Sequence, residues 1–276
     1  MAKEVIPVKN AILIKERLCN VIGEQDVIRL KKVKKELKFL LPSFALPRFI
    51  TLEIYEKLWN DAVCAFERDE YKIDHHLPDK TGDLRRGVTL LFRPPPNVRD
   101  TVTSFMVRLG SLCPGQYFYR PAELHITLLS IITMTELWEQ ELKRFEICRP
   151  LIGQALMAQR PFRISFRGVT ASPDSILIQG FPSDNGLAAV RSALRDAFAR
   201  AGFADMLDRR YKVTAAHITI MRFCRRCPDT QRLLAFLRKN RETSFGECEI
   251  NNIELILGDW YASSDRLKIL EEYILR

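Results

Sequence analysis

His125-Ile126-Thr127-Leu128 and His217-Ile218-Thr219-Ile220 decide how this chain folds. Each lies in an apolar, β-favouring run, residues 124–129 and 215–221. In a strand, residues i and i+2 face the same side, so each motif sets an imidazole beside a hydroxyl and turns its isoleucine toward the core. Two such strands face to face offer two proton-transfer groups and two hydroxyl donors around one small anion. The chain has four histidines in all. Two of them carrying threonine at the same offset is a pairing that unrelated structural histidines rarely produce.

Working outward, the 276 residues suit one large domain, or one domain with an extension. An apolar share of 47% is enough to build a core and excludes a disordered or collagen-like chain. No apolar run reaches the length of a membrane span, and the first residues lack the layout of a signal peptide, so cytoplasmic residence without membrane partners is the expectation. Seven irregularly spaced cysteines do not form a disulfide framework. Cys224 and Cys227 form a C-x-x-C with no second ligand pair at matching spacing, and His75-His76 stands apart, so no metal or cofactor is expected.

The net charge of +9 concentrates in residues 29–38 and 209–241, the second overlapping the His217 motif. A basic field beside a cleft gathers polyanions, which points to an RNA or nucleotide partner.

Along the chain, residues 1–84 read as a helical N-terminal extension, with helices over 24–41 and 51–68 and a polar linker over 69–86. From residue 85 to 276 strands and helices alternate. Strands are expected at 88–93, 123–132, 211–223, 248–257 and 267–273, a hairpin at 162–180, and helices at 97–112, 135–157, 185–201 and 230–239. The two histidines, 92 positions apart, sit at corresponding places in two similar halves.

Paired H-x-T strands, one per half of such a unit, resemble the two-histidine (2H) phosphoesterase superfamily, which includes 2′,5′ RNA-ligase-like proteins and cyclic nucleotide phosphodiesterases. The resemblance covers residues 86–276. It implies an α+β fold of two pseudo-symmetric lobes, with antiparallel sheets, outer helices and a central cleft lined by His125, Thr127, His217 and Thr219. It also implies a phosphate-binding arginine after the second motif, where Arg222 stands. Regular strand parity, however, sets Arg222 opposite His217 unless the strand bulges. The first motif continues as Leu128-Leu129-Ser130, without the aromatic residue often found there.

This chemistry suits histidine, which can hold or release a proton near neutral pH. One imidazole would activate the attacking oxygen, the other would protonate the leaving oxygen, and Thr127 and Thr219 would donate to the non-bridging oxygens. The expected activity is a metal-independent phosphodiesterase that hydrolyses or transesterifies 2′,3′-cyclic or 2′,5′-linked phosphodiesters of RNA or nucleotides. Tyr117, Tyr119 and Phe223, near the motifs, are candidates to stack on a base, and Arg120 and Lys212 to contact phosphate. Two other readings stand beside it: a non-catalytic RNA- or nucleotide-binding module using the same cleft, and a partner-binding protein acting through its N-terminal helices. The sequence leaves the oligomeric state open.

Overall fold

Two antiparallel sheets, each containing one of the motif strands, carry the fold. The structure, a computed structural model, describes residues 45–210 and 212–276, with side chains from Thr51 onward. The helix expected over 24–41 and the basic stretch 29–38 lie outside the described residues.

The elements in chain order are α1 (Ala45–Glu67), β1 (Arg86–Phe92), α2 (Pro96–Gly110), β2 (Tyr117–Phe118), β3 (Ile126–Thr135), α3 (Trp138–Cys148), α4 (Pro150–Leu156), β4 (Phe162–Ser172) and β5 (Ser175–Pro182). They continue with α5 (Gly186–Arg200), β6 (Ala216–Arg222), α6 (Thr230–Lys239), β7 (Ser244–Ile250), β8 (Asn252–Gly258) and β9 (Lys268–Ile274). One sheet runs β3-β1-β8-β9 and the other β2-β6-β5-β4-β7. The α+β class, the two antiparallel sheets and the helices packed with them agree with the reading of the sequence.

Local chemistry explains the boundaries. Pro96 opens α2, where a missing N–H costs nothing, and Asp229 caps α6 by accepting from the Arg232 amide. The single helix expected over 135–157 is two helices, because Pro150 cannot continue the hydrogen-bond ladder of α3 and starts α4 instead. The strand expected over 248–257 is likewise two. β7 pairs with β4 in one sheet and β8 with β1 in the other, and the chain changes sheet at Asn251. The second motif strand begins at Ala216 rather than at 211.

Both motif strands bulge. On β6, Thr219 lies opposite Leu177 and Met221 opposite Ile176, which leaves Ile220 as an extra residue. On β3, Thr127 lies opposite Leu91 and Leu129 opposite Leu90, with Leu128 extra; one step on, Ser130 faces Thr89 and Ile132 faces Val88, with Ile131 extra. Each extra residue shifts the side-chain alternation by one. The cleft face of β3 therefore reads Thr127, Ser130, Thr133, while Leu128, Leu129, Ile131 and Ile132 are all buried in the core. On β6, Ile220 and Met221 are both buried, and Arg222 returns to the side of Thr219.

Residues 51–276 form one compact unit. The sequence reading places the boundary of the extension after residue 84, yet α1 is built into the second sheet. The hydroxyl of Tyr55, completely buried, accepts from the Gly180 amide at 3.1 Å and donates to the Ala216 carbonyl at 2.6 Å. Thr170 donates in turn to the Tyr55 carbonyl, and Phe66 packs edge-on against Phe223. Gly180 is required here, because a Cβ would stand 2.1 Å from the Ala216 carbonyl oxygen. Tyr55→Phe leaves that amide and carbonyl without their buried partner, and we expect a loss of about 1–3 kcal/mol. Urea unfolding of the variant checks it, and an unchanged midpoint would remove the Tyr55 hydroxyl from the account of stability.

Candidate active site

The two motif strands share one cleft. His125, Thr127, His217, Thr219 and Arg222 all line it, as does Tyr119. The bulge at Ile220 is what brings Arg222 there.

The two histidines are held differently. His125 stands immediately before β3, after the turn Pro121–Glu123, and its Nδ1 lies 2.8 Å from the Glu123 carbonyl oxygen. A carbonyl only accepts, so Nδ1 carries the hydrogen and the lone pair of Nε2 is left free. His217 lies within β6, and its Nδ1 is buried with no partner among the described residues. An orphaned acceptor is more tolerable than an orphaned N–H, which places the proton of neutral His217 on Nε2.

Burial pushes both imidazoles down to about 4. For His125 the Glu123 carbonyl opposes that shift and the nearby Arg93 and Arg222 add to it. For His217 the next cause is the charge of His125 itself, which places the two rings within electrostatic reach. Both rings are therefore neutral at pH 7 when no anion is bound.

Arg222 is braced on two sides. Its Nε donates to the Tyr119 hydroxyl at 2.9 Å and its Nη1 to Asp174 at 3.2 Å. Ser172 and Ser175 also donate to Asp174. Burial alone would disfavour the Arg222 charge, but Tyr119 and Asp174 outweigh it and hold the guanidinium above its ordinary value. Asp174 sits below the usual carboxylate range, since Arg222 and the two serines overcome its own burial. Tyr119 is thus a brace for the arginine.

A second arginine works from beneath. Arg191 of α5 is buried and donates to the carbonyls of Thr127, Leu128, Thr214 and Ala215. Burial, with Arg195 nearby, lowers it to about 10, so it remains a cation at neutral pH. It ties the carbonyls beside both motifs together and raises the potential under the cleft.

The remaining candidates fall elsewhere. Phe223 is fully buried against Phe66 and Tyr71 and presents no face to the cleft. Tyr117 and Arg120 line a separate pocket with Lys80, whose ammonium donates to the Tyr117 hydroxyl. Lys212 is exposed and outside the cleft lining. His75 and His76 are exposed too. Among the described residues no group of three or more His, Cys, Asp or Glu is placed to hold a metal ion.

Sequence reasoning missed part of the lining: Thr89, Ser130 and Thr133 on the floor, and Asp208, Arg210 and Trp260 on loops. Arg210 stacks over the Trp260 indole at 4.6 Å. The hydroxyls of Thr89, Thr127, Ser130, Thr133 and Thr219 make no hydrogen bond to protein among the described residues, whereas those of Thr101, Thr103 and Ser104 return to helix carbonyls. The cleft hydroxyls are free for a ligand. The three-residue spacing of Thr127, Ser130 and Thr133 was the available signal, but it reads as a face only once the bulges are known.

Residues 96–266 match the AKAP7 2′5′ RNA ligase-like domain. No curated protein matches the chain. Among solved structures, TT0787 of Thermus thermophilus superposes with a TM-score of 0.52 at 19% identity, covering 69% of this chain and 98% of that one. E. coli LigT complexed with 3′-AMP gives 0.45 at 14%, covering 69% and 98%. A conserved protein of unknown function, ATU0111 from Agrobacterium tumefaciens str. C58, gives 0.47 at 13%, covering 76% and 97%.

Two outcomes follow from this geometry. Because both imidazoles titrate near 4 in the fold and about 6.5 when unfolded, the unfolded chain binds more protons between those values. Their contribution to stability is complete above about 6.5 and declines as pH falls to 4. Urea midpoints across that window should drop for the wild type and drop less for His125→Gln/His217→Gln; equal slopes would contradict the buried-neutral assignment. Asp174→Asn should release Arg222 and raise KM for an anionic substrate roughly tenfold, more than it lowers kcat. An unchanged KM would show that the brace does not matter.

Proposed function

This chain belongs to the AKAP7 2′5′ RNA ligase-like domain family, within the two-histidine phosphoesterase superfamily, and on that premise we propose a metal-independent phosphodiesterase acting on 2′,3′-cyclic or 2′,5′-linked phosphodiesters of RNA or nucleotides. The observation that carries the reading is the convergence of two H-x-T motifs and Arg222 on one cleft.

In this reading the phosphate lies between the imidazoles, with its non-bridging oxygens toward Thr127, Thr219 and Arg222. Charge that builds on those oxygens in the transition state meets donors already in place, which is the arrangement that lowers the barrier most. His125 serves as the base: it presents a free Nε2, and the imidazolium formed on accepting a proton is stabilised by the Glu123 carbonyl. His217 serves as the acid. Burial disfavours its protonated form, so once protonated it gives up a proton readily to the leaving oxygen.

For hydrolysis the attacking oxygen is a water; for transesterification it is a neighbouring 2′-hydroxyl. The same groups serve both. Neutral imidazoles in the empty cleft mean that His217 takes its proton as the anion binds. The unoccupied hydroxyls beyond Thr127, together with Arg210 and Trp260, favour a substrate that extends past one nucleotide.

The test is turnover of 2′,3′-cyclic nucleotides and of 2′,5′- and 3′,5′-linked oligonucleotides in EDTA, with His125→Ala/His217→Ala alongside. Each single alanine variant should lose about 10²–10⁴ in rate, and the double variant less than the product. Tight binding without turnover by the wild type would instead establish a nucleotide-binding module. The pH profile adds a second check. Since the free enzyme must gain one proton at a site near 4, kcat/KM should fall as pH rises above that value. The limb in kcat should lie higher, because a bound anion raises the imidazole pKa. Coincident limbs would contradict proton uptake on binding.

A further inference from the structure

We propose that Cys113 and Cys227 form a reversible dithiol–disulfide pair beside the cleft, oxidised by a small hydroperoxide. The two thiols lie in contact, Sγ to Sγ 3.0 Å, although they are 114 residues apart in the chain. Cys113 follows α2 and is fully enclosed, while Cys227 follows β6 and reaches the surface at 9%. A molecule the size of a peroxide therefore meets Cys227 first.

The backbone holds both partners in place. The Tyr71 hydroxyl accepts from the Cys227 amide at 2.6 Å, and the Cys113 amide donates to the Leu109 carbonyl at 3.2 Å. Between the two segments the Gln116 side chain makes a double link, accepting from the Cys224 amide and donating to the Arg225 carbonyl. The C-x-x-C pattern invites a pairing of Cys224 with Cys227, but the Cys224 thiol is turned to the Gly115 carbonyl at 3.3 Å. The sulfur in contact with Cys227 comes from the other segment. The hydrogen bond from the Cys113 thiol lowers Cys227 against the effect of burial, which favours the thiolate on the outer sulfur of the pair.

The steps balance. The Cys227 thiolate attacks one peroxide oxygen and the O–O bond breaks, giving a sulfenic acid and a hydroxide that takes up a proton to become water. Cys113 loses its proton, its sulfur attacks the Cys227 sulfur, and the S–O bond breaks to release a second water. Two thiols are oxidised by two electrons and one peroxide is reduced. A dithiol reductant reverses the bond by exchange. The link would tie the segment leading to Tyr119 to the segment leaving Arg222, fixing the brace on that arginine.

The experiment treats the full chain with stoichiometric hydrogen peroxide, blocks free thiols and maps linked peptides by mass under non-reducing conditions. A Cys113–Cys227 peptide lighter by two hydrogens, formed before exposed Cys64 is oxidised and reversed by dithiothreitol, supports the pair. The bond closes a long loop, so the oxidised protein should also melt roughly 5–15 °C higher. A Cys224–Cys227 link, or over-oxidation at Cys227 with Cys113 still free, overturns it. In Cys224→Ser the bond should persist; its loss would mean that Cys224 relays the oxidation and that the direct pair is wrong. In Cys113→Ser treated with excess peroxide, Cys227 should proceed past the sulfenic acid to the sulfinic acid. None of these readouts depends on phosphodiesterase turnover.

Discussion

The guanidinium of Arg191 is the contact on which the arrangement turns. It spends its donors on four main-chain carbonyls, two beside the first motif and two just ahead of the second. The two motif strands belong to different sheets, so nothing in either ladder fixes their separation. A planar, rigid fork does so, at a distance set by bond lengths rather than by packing. A buried cation whose hydrogen bonds all go to carbonyl oxygens brings positive charge beneath the cleft, and that field acts on whatever occupies the space above.

Electrostatics and tautomers then divide the labour of the two histidines. Their sequence contexts are nearly identical, yet one Nδ1 meets a carbonyl and the other has no partner among the described residues. The difference comes from the backbone before each motif. Pro121 starts a tight turn that folds the Glu123 carbonyl back on His125, whereas His217 lies in the regularly paired first part of β6, ahead of its bulge. Pseudo-symmetry in sequence thus yields chemical asymmetry in the site.

How much of this could be read beforehand depends on the kind of signal. The paired motifs, the antiparallel α+β class and most elements follow from local pattern, because apolar period and turn residues are local properties. The cleft-facing histidines and threonines follow from strand parity over two residues. Arg222 and Ser130, three residues farther on, do not, because a bulge is decided by the partner strand and leaves no mark in the sequence of its own. Asp208, Arg210 and Trp260 lie on loops brought to the cleft only by tertiary structure. Tyr55 is the clearest case of hidden purpose. In the sequence it is one aromatic on a helical stripe, while in the fold its hydroxyl fills a gap between β5 and β6. The split of 248–257 between sheets at Asn251 was hidden in the same way, since both halves favour strand.

The bulges have one more consequence, for the fidelity of folding. A regular strand pair can slide by two residues and still present the same faces, which is how sheets misalign. Along β3 the extra residues fall at Leu128 and Ile131, and a slide by two would set them against stretches of β1 built for ordinary pairing. Polar Ser130 and Thr133 would trade places with leucine and isoleucine at the core. The irregular strand therefore admits one alignment only, and the kinks that aim hydroxyls at the cleft also act as a key that lets the chain find its own register.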